Sequence, residues 1–239
     1  MRRLIALVLS LSAAGCVAFD APTDERLRGI RLDSEEPGPS AARCRFRMSV
    51  EHPSLAGEYD GVVVAHRSRT NPVLRAQLFG DLGPRFADVM ARPDRIVGYF
   101  PQTREGVDCA LPREASPHLL LFLGASLVEE FLTRADRSRV IGVRTEGEET
   151  WLRLRPAIPG TECHLSLDVE GKAKKRKFSW MTGVSWQEEW STPDECRITA
   201  PNLSIRVKIL ERMPQPLTTL VTLDLQLPED VRIVVGSRK

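Results

Sequence analysis

The chain has 239 residues, 42% hydrophobic and 28% charged, with 34 Lys and Arg against 32 Asp and Glu. That size and apolar share allow one large domain with a substantial core, or at most two small ones. The near-neutral balance gives no basic excess of the kind a nucleic-acid surface needs, so nucleic acid is not an expected partner.

The first segment, "MRRLIALVLSLSAAGC", places Arg2 and Arg3 before an apolar run over residues 4–11 and then the small residues Ser12, Ala13, Ala14 and Gly15 ahead of Cys16. Positive, apolar, then small is the order of a secretory signal peptide, and the run is too short for a permanent span, which takes ~20 residues. Ending on Gly-Cys, it resembles a bacterial lipoprotein signal, in which the cysteine thiol is diacylated and the chain is cut just before it. Ala13 stands where that motif more often has Leu. The expectation is a signal peptide over residues 1–15 and a mature chain starting at lipidated Cys16. Two acyl chains are what stable membrane attachment takes. Residues 1–15 carry two Arg and no acid, so the mature chain has 32 basic against 32 acidic residues. Val17 follows the cysteine where enteric bacteria use Asp to retain lipoproteins at the inner membrane, which points to the outer membrane, facing the periplasm.

Residues 16–42 are polar and rich in Pro and acid, which reads as a flexible tether with a weak helix around "DERLRGIRL". From residue 43 the pattern turns to period two. In "RCRFRMSVE", Cys44, Phe46, Met48 and Val50 alternate with Arg45, Arg47 and Ser49, the mark of a half-buried strand. "GEYDGVVVAHR" and "VLRAQLFGDLG" follow, and "RFADVMARPDRIVGYFP" supplies two strands around Pro93 and Asp94. Gly, Asp, Asn and Pro punctuate these runs at the spacing of an antiparallel meander.

One stretch breaks the alternation. "SPHLLLFLGASLVEEFLTRAD" has Ser116 as N-cap, Pro117 at the first helical position and apolar residues at Leu120, Leu123, Leu127 and Phe131, so a helix is expected there. Strands then resume to the C-terminus, most clearly Leu203, Ile205, Val207 and Ile209, then Val221, Leu223, Leu225 and Leu227. A one-sided apolar pattern over ~10 or more strands means one wide sheet, and wide sheets curl or close. The expected fold is mainly β (α+β): a single domain over residues 43–239, a large curved antiparallel sheet or incomplete β-barrel with a short helical lid.

The run "GVVVAHRSRTNPVLRAQLFGDLGPRFADVMARPDRIVGYFP", followed by an apolar helix containing "FLG", resembles the LolA/LolB-type bacterial lipoprotein carriers and receptors. The matching positions include Leu74, Arg75, Gln77, Leu78 and Phe79, then Arg95, Ile96, Val97, Tyr99, Phe100 and Pro101. The resemblance covers residues 43–135 well and the rest by strand pattern. It implies a concave apolar face that accepts acyl chains of lipids or lipoproteins for localisation or transfer, with no catalytic group. On that basis Phe46, Met48, Leu74, Leu78 and Ile96 line the cavity from the first half. Leu120, Leu123 and Leu127 line it from the helix, and Ile205, Val207, Leu223 and Leu225 from the last strands. The same positions also read as plain core. Members of the group usually carry a longer helix before the first strand, where this chain has the short "DERLRGIRL".

The remaining motifs carry less chemistry. Cys44, Cys109, Cys163 and Cys196 are an even set in an exported chain, which suggests disulfides; nesting favours Cys44 with Cys109 and Cys163 with Cys196, though three connectivities remain open. No C-x-x-C occurs, so neither a metal nor a cofactor is expected. The four histidines are scattered, and neither H-E-x-x-H, G-x-S-x-G nor a P-loop is present, so no enzyme is expected. Adjacent Glu188 and Glu189 face opposite ways on a strand and do not form a dyad. Lys174, Lys175, Arg176 and Lys177 could meet lipid head groups or an acidic envelope protein, or simply form a solvated hairpin. Trp180, Trp186 and Trp190 follow at even spacing, which puts them on one face. The alternative function is a non-transporting outer-membrane lipoprotein that uses the same sheet as a structural or assembly module.

Overall fold

A computed structural model describes residues 18–28, 30, 41–53, 56–66, 72–80, 83–110, 137–156, 160–180, 185–214 and 223–233. Cys16 lies outside the described residues, as does the expected helix with Leu120, Leu123 and Leu127.

After a five-residue helix α1 (Asp24–Arg28), six strands follow: β1 (Ala41–Glu51), β2 (Gly57–His66), β3 (Val73–Phe79), β4 (Arg85–Arg92), β5 (Arg95–Phe100) and β6 (Glu105–Ala110). A single 3₁₀ turn, Arg137–Arg139, leads into β7 (Val140–Glu146), β8 (Glu149–Leu154), β9 (Thr161–Leu167) and β10 (Ala173–Trp180). The chain closes with β11 (Ser185–Thr192), β12 (Glu195–Ala200), β13 (Leu203–Pro214) and the short β14 (Arg232–Ile233).

All these strands belong to one sheet, ordered β14-β6-β5-β4-β3-β2-β1-β13-β12-β11-β10-β9-β8-β7. Two meanders therefore run outward from the centre, where β1 pairs antiparallel with β13. The strands that follow one another as β6 and β7 stand at opposite sides of the sheet. The sheet is curved and unclosed, as expected for this many twisted strands. Register shifts at Arg45/Phe46, Leu78/Phe79, Val140/Gly142 and Trp190/Thr192 supply local bends. Its terminal strands β14 and β7 do not pair with each other, so the sheet is the curved, incompletely closed one expected.

Alternation decides which face is inside. Cys44, Phe46, Met48 and Val50 on β1 are buried, and their partners on neighbouring strands continue one apolar cluster from β1 to β13. The far end of the Phe46 ring rests on Gly61 of β2, its register partner. A Cβ at Gly61 would come within 2.3 Å of the ring.

Leu223 and Leu225 are the main departure from expectation. Residues 223–228 form no strand and lie on the other face of the sheet, where Leu223, Leu225 and Leu227 pack against Val73, Met90 and Val97. Register fixes the opposition: Val97 faces Met90, whereas Ile96, Ala91 and Leu74 face one another on the inner side. Period two reports an extended chain with one buried side, and does not say which surface buries it. Asp224 accepts a bond from Arg92 at 3.3 Å, and Asp230 one from Arg104 at 3.3 Å, which fix the segment at both ends. Replacing Leu223 by Glu puts a charge against this outer cluster and is expected to lower the urea midpoint by an amount worth about 1–2 kcal/mol. An unchanged midpoint would mean that the segment does not rest there in solution.

The stretch expected as a free tether is partly docked. Asp20 exchanges two backbone bonds with Val143 of β7, both 3.0 Å, and Thr23 accepts the Arg26 amide as an N-cap at the start of α1. Leu27 and Ile30 pack on the inner cluster, and β1 begins at Ala41, two residues earlier than the alternation suggested.

Candidate functional site

The candidate site is the concave face. Phe46, Met48, Leu74, Leu78, Ile96 and Ile205 share its apolar cluster, with Val207 partly buried against it. These seven of the expected cavity residues are brought together by the sheet. Leu223 and Leu225 lie on the far side, as described above, because the outer surface of β3–β5 offers them Val73, Met90 and Val97.

One polar spot interrupts the apolar face, and the sequence reading missed it. Arg176 of β10 stands opposite Leu165 on β9 and Glu188 on β11, which places both charged residues among inward-facing neighbours. Their side chains are only 8% and 2% exposed, and Arg176 Nε meets Glu188 Oε2 at 3.1 Å. The guanidinium lies 4.7 Å from the Trp190 ring centre and 5.8 Å from that of Phe178. Trp186 stacks on Phe178 at 4.5 Å and donates its indole N–H to Glu188 Oε1 at 3.3 Å. Trp186, Glu188 and Trp190 are spaced by two, so a single strand delivers all three to one side. The signal was present in "KRKFSW" and "SWQEEW", two hairpin strands whose inward positions pair Arg with Glu.

That geometry corrects the reading of the basic run. Arg176 faces inward and is not a head-group contact. Its neighbours are answered by acids or an aromatic: Lys174 Nζ reaches Glu149 Oε1 at 2.8 Å, and Lys175 reaches Glu149 at 3.4 Å and Glu189 at 3.9 Å. The Lys174 hydrogen bond holds the Glu149 carboxyl below its ordinary range. Lys177 sits 4.7 Å over the Trp151 ring. Along the same strands, His164, Lys177, Gln187 and Thr199, with Phe178 and Trp186, border an open hollow of about 420 Å³.

The cysteines do not face one another in register. Cys44 stands opposite Val63 and Arg212, and Cys109 opposite Ile96. Cys163 faces Leu154 and Phe178, and Cys196 faces Trp190 and Val207. Neither nested pairing joins neighbouring strands. No group of three His, Cys, Asp or Glu among the described residues could hold a metal ion, and no described helix is long and apolar enough to cross a membrane.

His164 is a histidine with a structural consequence. Its ring lies 4.8 Å from that of Phe19, and burial pushes the imidazole below its ordinary value. The folded chain then takes up this proton at lower pH than the unfolded chain. The associated stability is therefore complete above about pH 6.5 and is lost as pH falls from there towards the folded value. A melting series from pH 7.5 to 5 should show this loss in the native chain and a smaller one in His164→Gln. Equal slopes would exclude the linkage.

Neither a family model nor a curated protein matches the chain. Among solved structures, it is similar to a domain provisionally described as an outer membrane lipoprotein-sorting protein from Vibrio parahaemolyticus. The TM-score is 0.56 at 11% identity, covering 80% of this chain and 91% of that one. A DUF1329 family protein from Desulfovibrio piger gives a TM-score of 0.49 at 9% identity, covering 77% and 89%. The Vibrio domain fits the open curved sheet already described, and the chain shares the fold of a LolA-like lipoprotein-sorting domain.

Proposed function

We propose that this chain is a lipid-anchored bacterial envelope protein, held at the outer membrane through Cys16, that receives acyl chains of a lipid or lipoprotein on the inner face of its sheet. The observation that carries this reading is the continuous apolar inner cluster on an open sheet. It is supported by the fold shared with a lipoprotein-sorting domain. Each methylene leaving water contributes about 0.8 kcal/mol, so uptake needs no catalytic residue and handover depends on shape and opening. An open sheet can change its curvature at its two edges without breaking a closed ladder of hydrogen bonds.

A second reading, a non-transporting module, is favoured by one observation. Leu74, Ile96, Leu152 and Ile205 are 0% exposed, as they would be in an ordinary filled core.

One experiment separates the two. The Cys16→Ser chain, purified from the envelope fraction without detergent, is extracted into organic solvent and the extract analysed by mass spectrometry. Acyl species in near-stoichiometric amount are expected under the proposal, retained in Leu223→Glu, whose change lies on the outer face. Lipid-free protein that also takes up no added phospholipid or acylated peptide would reject acyl binding and leave the module reading.

A further inference from the structure

The N-terminal segment is clamped to the sheet almost as soon as it leaves the expected anchor. Phe19 packs against the outer face between a basic side chain and a histidine. The Arg144 guanidinium lies 4.8 Å from its ring centre and the His164 ring 4.8 Å from it. Gly142 makes the room, since a Cβ there would come within 2.8 Å of Phe19 Cβ. The next residue, Asp20, adds two 3.0 Å backbone bonds along β7 at Val143. Its carboxylate then accepts Arg26 Nη1 at 2.7 Å, tying α1 to the same corner. Leu27 of α1 and Ile30 just after it reach the inner cluster, so the segment wraps the β7 edge from the outer face to the inner one.

The reach of the chain turns this clamp into an orientation. Only Val17 and Ala18 separate Cys16 from Phe19. Three residue steps of fully extended chain span at most about 10 Å. Ile141, on β7 itself, is 42% exposed, an apolar side chain left outside on that strand. We infer that the acylated Cys16 holds the β7 edge of the open sheet against the bilayer that carries its acyl chains, with no long leash between them. This rests on the Cys16 reading proposed above and adds the face that meets the membrane. Because β7 is one terminal strand of the unclosed sheet, that edge then lies beside the lipid. Acyl chains could pass from bilayer to inner face over a short path, with little crossing of water.

The test uses the full-length chain made in a bacterium that lipidates it, with the photoreactive residue p-benzoylphenylalanine in place of Ile141 or of Ile233. Ile233 is a matched control: it is 49% exposed and lies on β14, at the other side of the sheet. After irradiation of membranes, lipid adducts are expected at position 141 and absent at 233. They should be lost at 141 when a Gly/Ser linker of about 20 residues is inserted between Ala18 and Phe19. Equal adducts at both positions, none at 141, or no effect of the linker would overturn the inference. Intact mass reports Cys16 acylation in the same samples. An unacylated cysteine rejects both the anchor and this orientation, whereas an acylated chain without adducts at 141 rejects the orientation alone.

Discussion

Glu188→Ala is expected to destabilise the fold by about 3–5 kcal/mol, measured as the urea unfolding free energy, because it leaves the Arg176 guanidinium charged among inner-face neighbours. The pair is almost wholly shielded, and Glu188 also accepts the Trp186 indole N–H. Removing one member strands a charge that water reaches poorly, whereas removing both does not. The double variant Arg176→Met, Glu188→Leu is therefore expected to fall close to the native chain in stability or above it, since apolar replacements of buried pairs are often neutral or stabilising. The contrast between single and double variants is the diagnostic result. A single variant as stable as the native chain would mean that the inner face at β10–β11 is wet in solution. If the double variant keeps its stability but changes the bound acyl species, the pair serves recognition; if both are unchanged, the pair serves neither.

The second large effect belongs to Asp88 on the outer face. Its carboxylate is 0% exposed and accepts four bonds: two from Arg75 at 2.8 Å, one from Gln77 at 3.0 Å and one from Arg85 at 3.1 Å. It lies between Ala87 and Val89, which face the inner cluster, so its own side chain is on the side of Met90 and the C-terminal segment. Asp88→Ala would leave those donors crowded together without their acceptor. The expected loss is about 3 kcal/mol, smaller than for Glu188 because Arg75 and Arg85 are 22% and 46% exposed and water can partly replace the carboxylate. Asp88→Asn keeps the size and one acceptor and should recover roughly half of that loss. Thermal melts of the three proteins would test the order, and Asp88→Asn as unstable as Asp88→Ala would show that charge, not hydrogen bonding, matters there.

Much of the strand content was legible because alternation is a local property. The two strands around Pro93 and Asp94 appear as β4 and β5, and the opposed faces of Glu188 and Glu189 follow from the strand's two-residue period. "CRITAPNLSIRVKILER" is divided by a turn at Pro201 and Asn202, where Asn202 takes φ of 61°. Asn tolerates that left-handed backbone better than most residues, and the dipeptide was the available signal. The inner-face residues from Phe46 to Ile205 were also readable, since burial there needs only a side. What escaped was any contact between segments far apart in sequence. Leu223 and Leu225 have the right period and the wrong face, because nothing local records that β3–β5 present an apolar outer patch. Phe19 and Asp20 looked like the start of a tether, because their partners Gly142, Val143 and His164 lie more than a hundred residues away.

The sequence by itself determined that this chain is mainly β, with one apolar side sustained along its strands. Those properties follow from spacing and composition, which each segment carries alone. Only the tertiary structure decided that the sheet stays open, that β1 and β13 meet at its centre and that an Arg–Glu pair sits within the apolar face. It alone also placed the two terminal segments, one around the β7 edge and one on the outer face. The physical reason is that a period-two pattern specifies which side chains seek burial, whereas strand order, register and the chain reaching across the sheet specify what buries them.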